Sequence, residues 1–326
     1  MQNPVTGLYP LRLEPIYRRY LWGGRRLASS LGKPIGQGND YAESWEIVDH
    51  GDDQSIVNFG PRRGASLASL CGEYQHELFG HHAPQTQFPL LFKFLDAHRD
   101  LSVQVHPNDE QAAQLDPPDR GKTEAWVILH ADPGSSIYAG VKSGIDRAGF
   151  ELAVRGGAIE SVLHQFQPAA GDCVFIPAGT VHALGAGLLV AEIQQSSDTT
   201  YRISDWNRVG SDGRPRPLHI EQALAVIDFE GGPVHSQSPR PADSLHVERL
   251  VACDHFVLDR WRIESPASVG GDGRFHLLAV LDGGLRMQGD VSGQPLLKGQ
   301  TALVPACCEC LLEPEGPTLM LDVYLP

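Results

Sequence analysis

Gly171-Asp172-Cys173-Val174-Phe175-Ile176-Pro177-Ala178-Gly179-Thr180-Val181-His182 is the stretch on which the fold turns. Its centre is rich in residues that suit a pleated, half-buried surface, and Pro177 and Gly179 then stop it in a turn. It reads as a strand that enters a corner, with His182 just beyond. Residues 298–306, Lys298-Gly299-Gln300-Thr301-Ala302-Leu303-Val304-Pro305-Ala306, parallel residues 170–178, so the chain carries a degenerate internal repeat. The second copy has no histidine after its Pro-Ala turn and is expected to hold no metal.

Outward from this point, short β-rich runs follow one another at residues 43–48, 54–59, 90–95, 101–106, 124–129 and 188–194. The 35 glycines and 24 prolines place turn signals about every ten residues across most of the chain. That rhythm belongs to a sandwich or barrel rather than to alternating strands and helices. Apolar spacing predicts short helices at 66–79, 109–115, 146–155 and 220–226, with Asn108 as an N-cap. The Gly/Pro/Ser-rich segment Glu230-Gly231-Gly232-Pro233 to Pro241 divides the chain into units 1–232 and 233–326. The second unit again reads as all β, with runs at 256–263, 276–281, 284–288, 301–305 and 319–324.

Four side chains on these runs make a credible divalent-metal site. Gln104 and His106 lie two apart in Leu101-Ser102-Val103-Gln104-Val105-His106-Pro107, so a strand projects both to one face. Glu124 opens the next run, and His182 follows the Pro/Gly corner. Two imidazoles, one carboxylate and one amide oxygen suit Zn2+, one ion per chain, with room for water or substrate. With one carboxylate the site keeps a formal charge of about +1, which favours an oxygen ligand.

The composition bounds what the site can serve. A net charge of −14 repels nucleic acid and anionic membrane surfaces. No apolar run approaches the roughly 20 residues of a membrane span, and the N-terminus lacks signal-peptide features. The expected setting is cytoplasmic, and the expected partner is a small molecule. Of the six cysteines, Cys307, Cys308 and Cys310 crowd together. They lack a second pair at zinc-knuckle spacing and are read as ordinary strand residues.

The run from Gly171 to His182, with an upstream Gln-x-His and a Glu, resembles the two metal-binding motifs of the cupin superfamily. Lys122-Thr123-Glu124, Pro177-Ala178-Gly179-Thr180-Val181-His182-Ala183 and residues 192–206 narrow it. With Tyr20-Leu21-Trp22-Gly23-Gly24, Ala42-Glu43-Ser44-Trp45-Glu46 and Pro89-Leu90-Leu91-Phe92-Lys93, they resemble the type I mannose-6-phosphate isomerases in their short bacterial form. The resemblance covers roughly residues 10–230. It implies a mainly β double-cupin, a jelly-roll β-sandwich with a few short helices. It also implies zinc-dependent interconversion of mannose 6-phosphate and fructose 6-phosphate through an enediol(ate).

By position, the resemblance carries zinc ligation onto Gln104, His106, Glu124 and His182, and active-site roles onto Trp22, Glu46, Lys93, Ser102, Lys122, Glu192 and Arg202. Glu192 and Lys122 remain rival general bases. Arg202 is expected to hold phosphate or enediolate oxygens, and Lys93 and Ser102 to contact phosphate or hydroxyls. Trp22 is expected in the pocket wall, and Glu46 on a sugar hydroxyl or a neighbouring lysine. Gly121 stands where some relatives place a histidine, so that residue's proposed role cannot apply. Two alternatives stay open: a cupin isomerase of another sugar, phosphorylated or not, and a metal-bound cupin that binds sugar without turnover.

Overall fold

The computed structural model describes residues 7–210, 213–242 and 244–326. Its frame is two β-sandwiches set back to back. In the first, a six-stranded antiparallel sheet runs in the order Cys173–Ile176, Glu124–Ala131, Leu188–Gln195, Leu90–Ala97, Tyr41–Ile47, Ile16–Gly24. It faces a five-stranded sheet ordered Leu163–Phe166, Ile137–Val141, His182–Leu184, Val103–Val105, Tyr201–Ser204. The C-terminal sandwich pairs another six-stranded sheet with a four-stranded one, both built from strands within residues 240–324. The fold is mainly β and double-cupin, as expected.

The strand Leu90–Ala97 is buried along its whole length, and its alternation explains why. Phe92 and Phe94 point away from the first sandwich and join a core with Leu258, Leu277, Leu321 and Val323 of the C-terminal sheet. Leu95 and Ala97 point inward, to a second core with Trp126, Ile176 and Val190. The six-stranded sheet is therefore covered on both faces, and each large apolar side chain it buries contributes about 1.5–3 kcal/mol. Its inward face is where polar side chains can be held without access to bulk water.

The internal repeat is topological as well as sequential. Cys173–Ile176 and Thr301–Val304 are each an edge strand of a six-stranded sheet. Each follows a glycine in the left-handed region, Gly171 at φ 94° and Gly299 at φ 79°. Ile176 pairs with Glu124, and its counterpart Val304 pairs with His276. In the second sandwich an imidazole thus stands at the place of Glu124. Its Nδ1 lies 2.9 Å from Asp322 and its Nε2 3.2 Å from Asp272.

The helices Arg147–Arg155 and Ile220–Val226 fall where expected, and the other two differ in extent. Residues 66–79 form two pieces, Leu67–Glu73 and Gln75–Phe79, hinged at Tyr74. Leu67 and Leu70 on one piece and Leu78 and Phe79 on the other reach the same core. Residues 109–115 shorten to Asp109–Ala112, with Asn108 and Gln111 in a reciprocal capping box. Among the described residues no helix is long and apolar enough to cross a membrane.

Candidate active site and metal centre

Strand register brings the site together. In the five-stranded sheet Gln104 is the direct cross-strand partner of both His182 and Arg202. In the facing sheet Glu192 lies between Lys93 and Trp126, and Lys93 is in turn opposite Trp45. Two rows of functional side chains therefore look at each other across the sandwich. They line a cavity of about 300 Å3, with Trp22, Ser102, Lys122 and Glu124 also in its wall.

His106, Glu124 and His182 are buried, and one donor atom from each lies within 4.8 Å of the others. His182 Nε2 is 3.3 Å from Glu124 Oε1 and 3.3 Å from the side-chain amide of Gln104. Both imidazoles turn Nδ1 to a backbone carbonyl, His106 to Thr199 and His182 to Thr180, each at 2.9 Å. With Nδ1–H donating there, Nε2 is the free lone pair facing the cluster. Burial pushes both imidazole pKa values down, His106 further than His182, and the Lys122 ammonium acts in the same direction on each, so both rings are neutral. Burial acts to raise the Glu124 pKa, but it is lowered overall, with the Lys122 ammonium as the largest opposing influence, so the carboxylate is ionised. Neutral imidazoles and an ionised carboxylate are the forms a divalent cation needs, so the donor set fits a metal ion. The Lys122 ammonium sits among these donors, ion-paired with Glu124 and 3.1 Å from His106 Nε2.

Glu192 is the other buried carboxylate. Trp126 Nε1–H donates to its Oε2 at 3.1 Å, and the Lys93 ammonium is 3.0 Å from its Oε1. Burial raises its pKa above the ordinary carboxylate range, with Lys93 pulling the other way. Lys93 is itself enclosed. Burial works against its charge, yet Glu192 and Glu43 hold it protonated. Arg202 sits across the cavity, half-buried, its Nε buried without a hydrogen-bond partner among the described residues. Asp205, three residues further along the chain, pairs with Arg208 and Arg216.

The chemistry of the cavity and its scaffold can be set beside known proteins. Residues 10–123 match the family model "Phosphomannose isomerase type I, catalytic domain". The chain is 35% identical over 300 residues to the mannose-6-phosphate isomerase ManA of Bacillus subtilis, covering 91% of this chain and 93% of that protein. The chain belongs to the type I phosphomannose isomerases. A relative from Streptococcus mutans named mannose-6-phosphate isomerase is 34% identical, over 91% of this chain and 92% of its own length. The crystal structure of the Bacillus subtilis mannose 6-phosphate isomerase superposes with a TM-score of 0.88 at 29% identity, covering 98% of this chain and all of that one.

Within this phosphomannose isomerase fold, ten of the eleven expected site residues meet at one place. Glu46 does not. It ion-pairs with the buried Lys33 at 2.5 Å and lies 3.3 Å from Thr301 Oγ1, on the face turned to the C-terminal sandwich. Neighbours in a strand face opposite ways, so with Trp45 turned to the cavity, Glu46 cannot also be. The carboxylate of this strand that does line the cavity is Glu43, hydrogen-bonded by Trp45 Nε1 and 3.8 Å from Lys93. Its signal was the i, i+2 spacing to Trp45. Trp126 could have been found in the same way from Glu124. Arg216 also reaches the cavity, but it lies outside the strands and carried no periodic signal.

Proposed function

We propose that the chain interconverts D-mannose 6-phosphate and D-fructose 6-phosphate by proton transfer through an enediol(ate), in the cytoplasm and with one Zn2+ per chain. The observation that carries this reading is the buried Glu192, with its raised pKa, facing Arg202 across the cavity that holds the donor cluster. The names of its relatives point the same way. Gln104, His106, Glu124 and His182 would hold the metal, which when bound polarises the carbonyl and stabilises negative charge on oxygen.

Glu192 is assigned as the general base that moves the proton between adjacent carbons. A carboxylate whose affinity for protons is raised toward neutrality is better suited to this than an ordinary one. Trp126 and Lys93 hold it in place. Lys122, with its ammonium 3.9 Å from Glu192, is the rival and serves otherwise as a donor to substrate oxygens. The uncommitted Nε of Arg202 supports a role in holding phosphate or enediolate oxygens in a bidentate way. Ser102 and Trp22 line the route in. On this reading residues 1–232 carry the chemistry, and 233–326 seal the outer face of its central sheet. All six cysteines are free, which suits a reducing compartment.

The test is turnover by the purified protein before and after chelation and zinc add-back, with free mannose alongside the phosphate ester. Zinc-restored turnover that needs the phosphate supports the proposal. Equal turnover of free mannose would favour an isomerase of another sugar. Binding without turnover would favour a sugar-binding cupin.

A further inference from the structure

Cys307 and Cys308 lie in a turn, not in a strand as their sequence context suggests. The turn is closed by Cys308 N–H donating to Pro305 O at 2.9 Å. Neighbouring side chains in a strand diverge, but here the two sulfurs come to 3.8 Å on one side. The backbone beneath them is pinned to the helix Gln75–Phe79: Ala306 N–H donates to Leu78 O at 3.1 Å and Cys307 N–H to Glu77 O at 2.9 Å. Cys307 is exposed and Cys308 half-buried, whereas Cys71, Cys173 and Cys310 are buried.

Two sulfur ligands about 2.3 Å from one centre lie about 3.3–3.8 Å apart for angles between about 90°, as at a pyramidal trivalent centre, and the tetrahedral value. The observed spacing is that of a chelating dithiol. A direct disulfide is a poorer fit, because adjacent Cα atoms across a trans peptide are about 3.8 Å apart and disulfides usually need about 4.4–6.8 Å. The hydrogen bond from the Cys308 thiol lowers the Cys307 pKa to about 7, so a nucleophilic thiolate is present at neutral pH.

We propose that Cys307 and Cys308 form a second, non-catalytic binding site that chelates thiophilic centres needing two sulfur ligands, trivalent arsenicals being the representative class. The pair needs little reorganisation, because the turn already sets both sulfurs on one side. With phenylarsine oxide each thiol forms one As–S bond and the As–O bond breaks. The two thiol protons leave with that oxygen as water. Arsenic stays trivalent, so no oxidant or reductant is consumed.

The experiment is intact-mass analysis of the full chain after phenylarsine oxide, followed by competition. The expected result is one adduct per chain that survives excess 2-mercaptoethanol and is removed by 2,3-dimercaptopropanol. Cys307→Ser and Cys308→Ser should each lose the monothiol-resistant adduct, while Cys253→Ser, at the remaining accessible thiol, keeps it. Circular dichroism on each variant checks that the loss is not unfolding, and Cys307→Ser, at an exposed position, is the variant that decides. No resistant adduct on the wild-type chain, or one that persists in folded Cys307→Ser, overturns the proposal.

Discussion

Replacing Asp119 by Asn should weaken metal binding although Asp119 touches none of the donor atoms. Its Oδ2 accepts from Thr199 Oγ1 at 2.6 Å and Ser197 Oγ at 3.0 Å. Its Oδ1 accepts from Arg120 N–H at 2.8 Å and lies 3.3 Å from His50 Nε2. Burial acts to raise its pKa, but His50, Thr199 and the other donors hold it well below the usual carboxylate range. The Thr199 carbonyl in turn accepts His106 Nδ1–H, so this one carboxylate fixes the loop that orients a ligand. Asparagine keeps the shape and removes the charge. Two hydroxyl bonds drop from charge-assisted to neutral strength, a loss of about 0.5–1.5 kcal/mol each. Loss of such outer support typically costs about 10–100-fold in metal affinity. Competition for Zn2+ against a chromophoric chelator reads this directly, with thermal melting run in parallel. A lowered melting temperature with Zn2+ affinity within about twofold of wild type would refute the positioning argument, since the bonds would then support only the loop.

Glu192→Gln should cut turnover by about 10²–10⁴-fold while retaining zinc, with Lys122→Met as the comparison; a larger loss in the lysine variant would transfer the role of base. The base must be ionised to act and its pKa is raised, so the acid limb of kcat/KM should lie above about 4.3, the ordinary glutamate value. A limb at or below that value contradicts the assignment. Glu46→Gln should leave the KM for mannose 6-phosphate unchanged, yet destabilise the fold by about 3–5 kcal/mol by stranding Lys33, as urea unfolding would measure; a raised KM at intact stability would return Glu46 to the substrate site. Burial lowers the pKa of His276, but Asp322 and Asp272 outweigh it and raise it to about 10. Its stabilisation is therefore fully present below about pH 6.5 and lost as the pH climbs toward 10. Urea midpoints for wild type and His276→Gln should converge over that window, and a constant gap would contradict the charged pair.

Much of the fold and site was legible because period-two alternation is a local property. Gln104 with His106, and Lys122 with Glu124, needed only spacing to be placed on one face. The same alternation, followed from Trp45, would have chosen Glu43 over Glu46. The helix at 66–79 was legible as apolar spacing, but its break at Tyr74 was not, because the apolar spacing runs unbroken through that position. Asp119 was invisible as a site-supporting residue. Its partners at 197 and 199 are distant in sequence, and nothing in an aspartate before an arginine announces them.

Sequence alone determined the strands, the Pro/Gly corners, the repeat and the residue types of a metal site, because each depends on neighbours a few positions away. Tertiary structure decided which strands became partners, and so which rows of side chains faced each other. Only the register that sets Gln104 beside His182 and Arg202, and Glu192 beside Lys93 and Trp126, makes these residues one site. The same holds for ionisation. Glu124 and Glu192 are the same residue type, but the Lys122 ammonium beside Glu124 favours its charged form while burial raises the proton affinity of Glu192. The balance between desolvation and nearby charge depends on distances across the sandwich, which one-dimensional spacing does not contain.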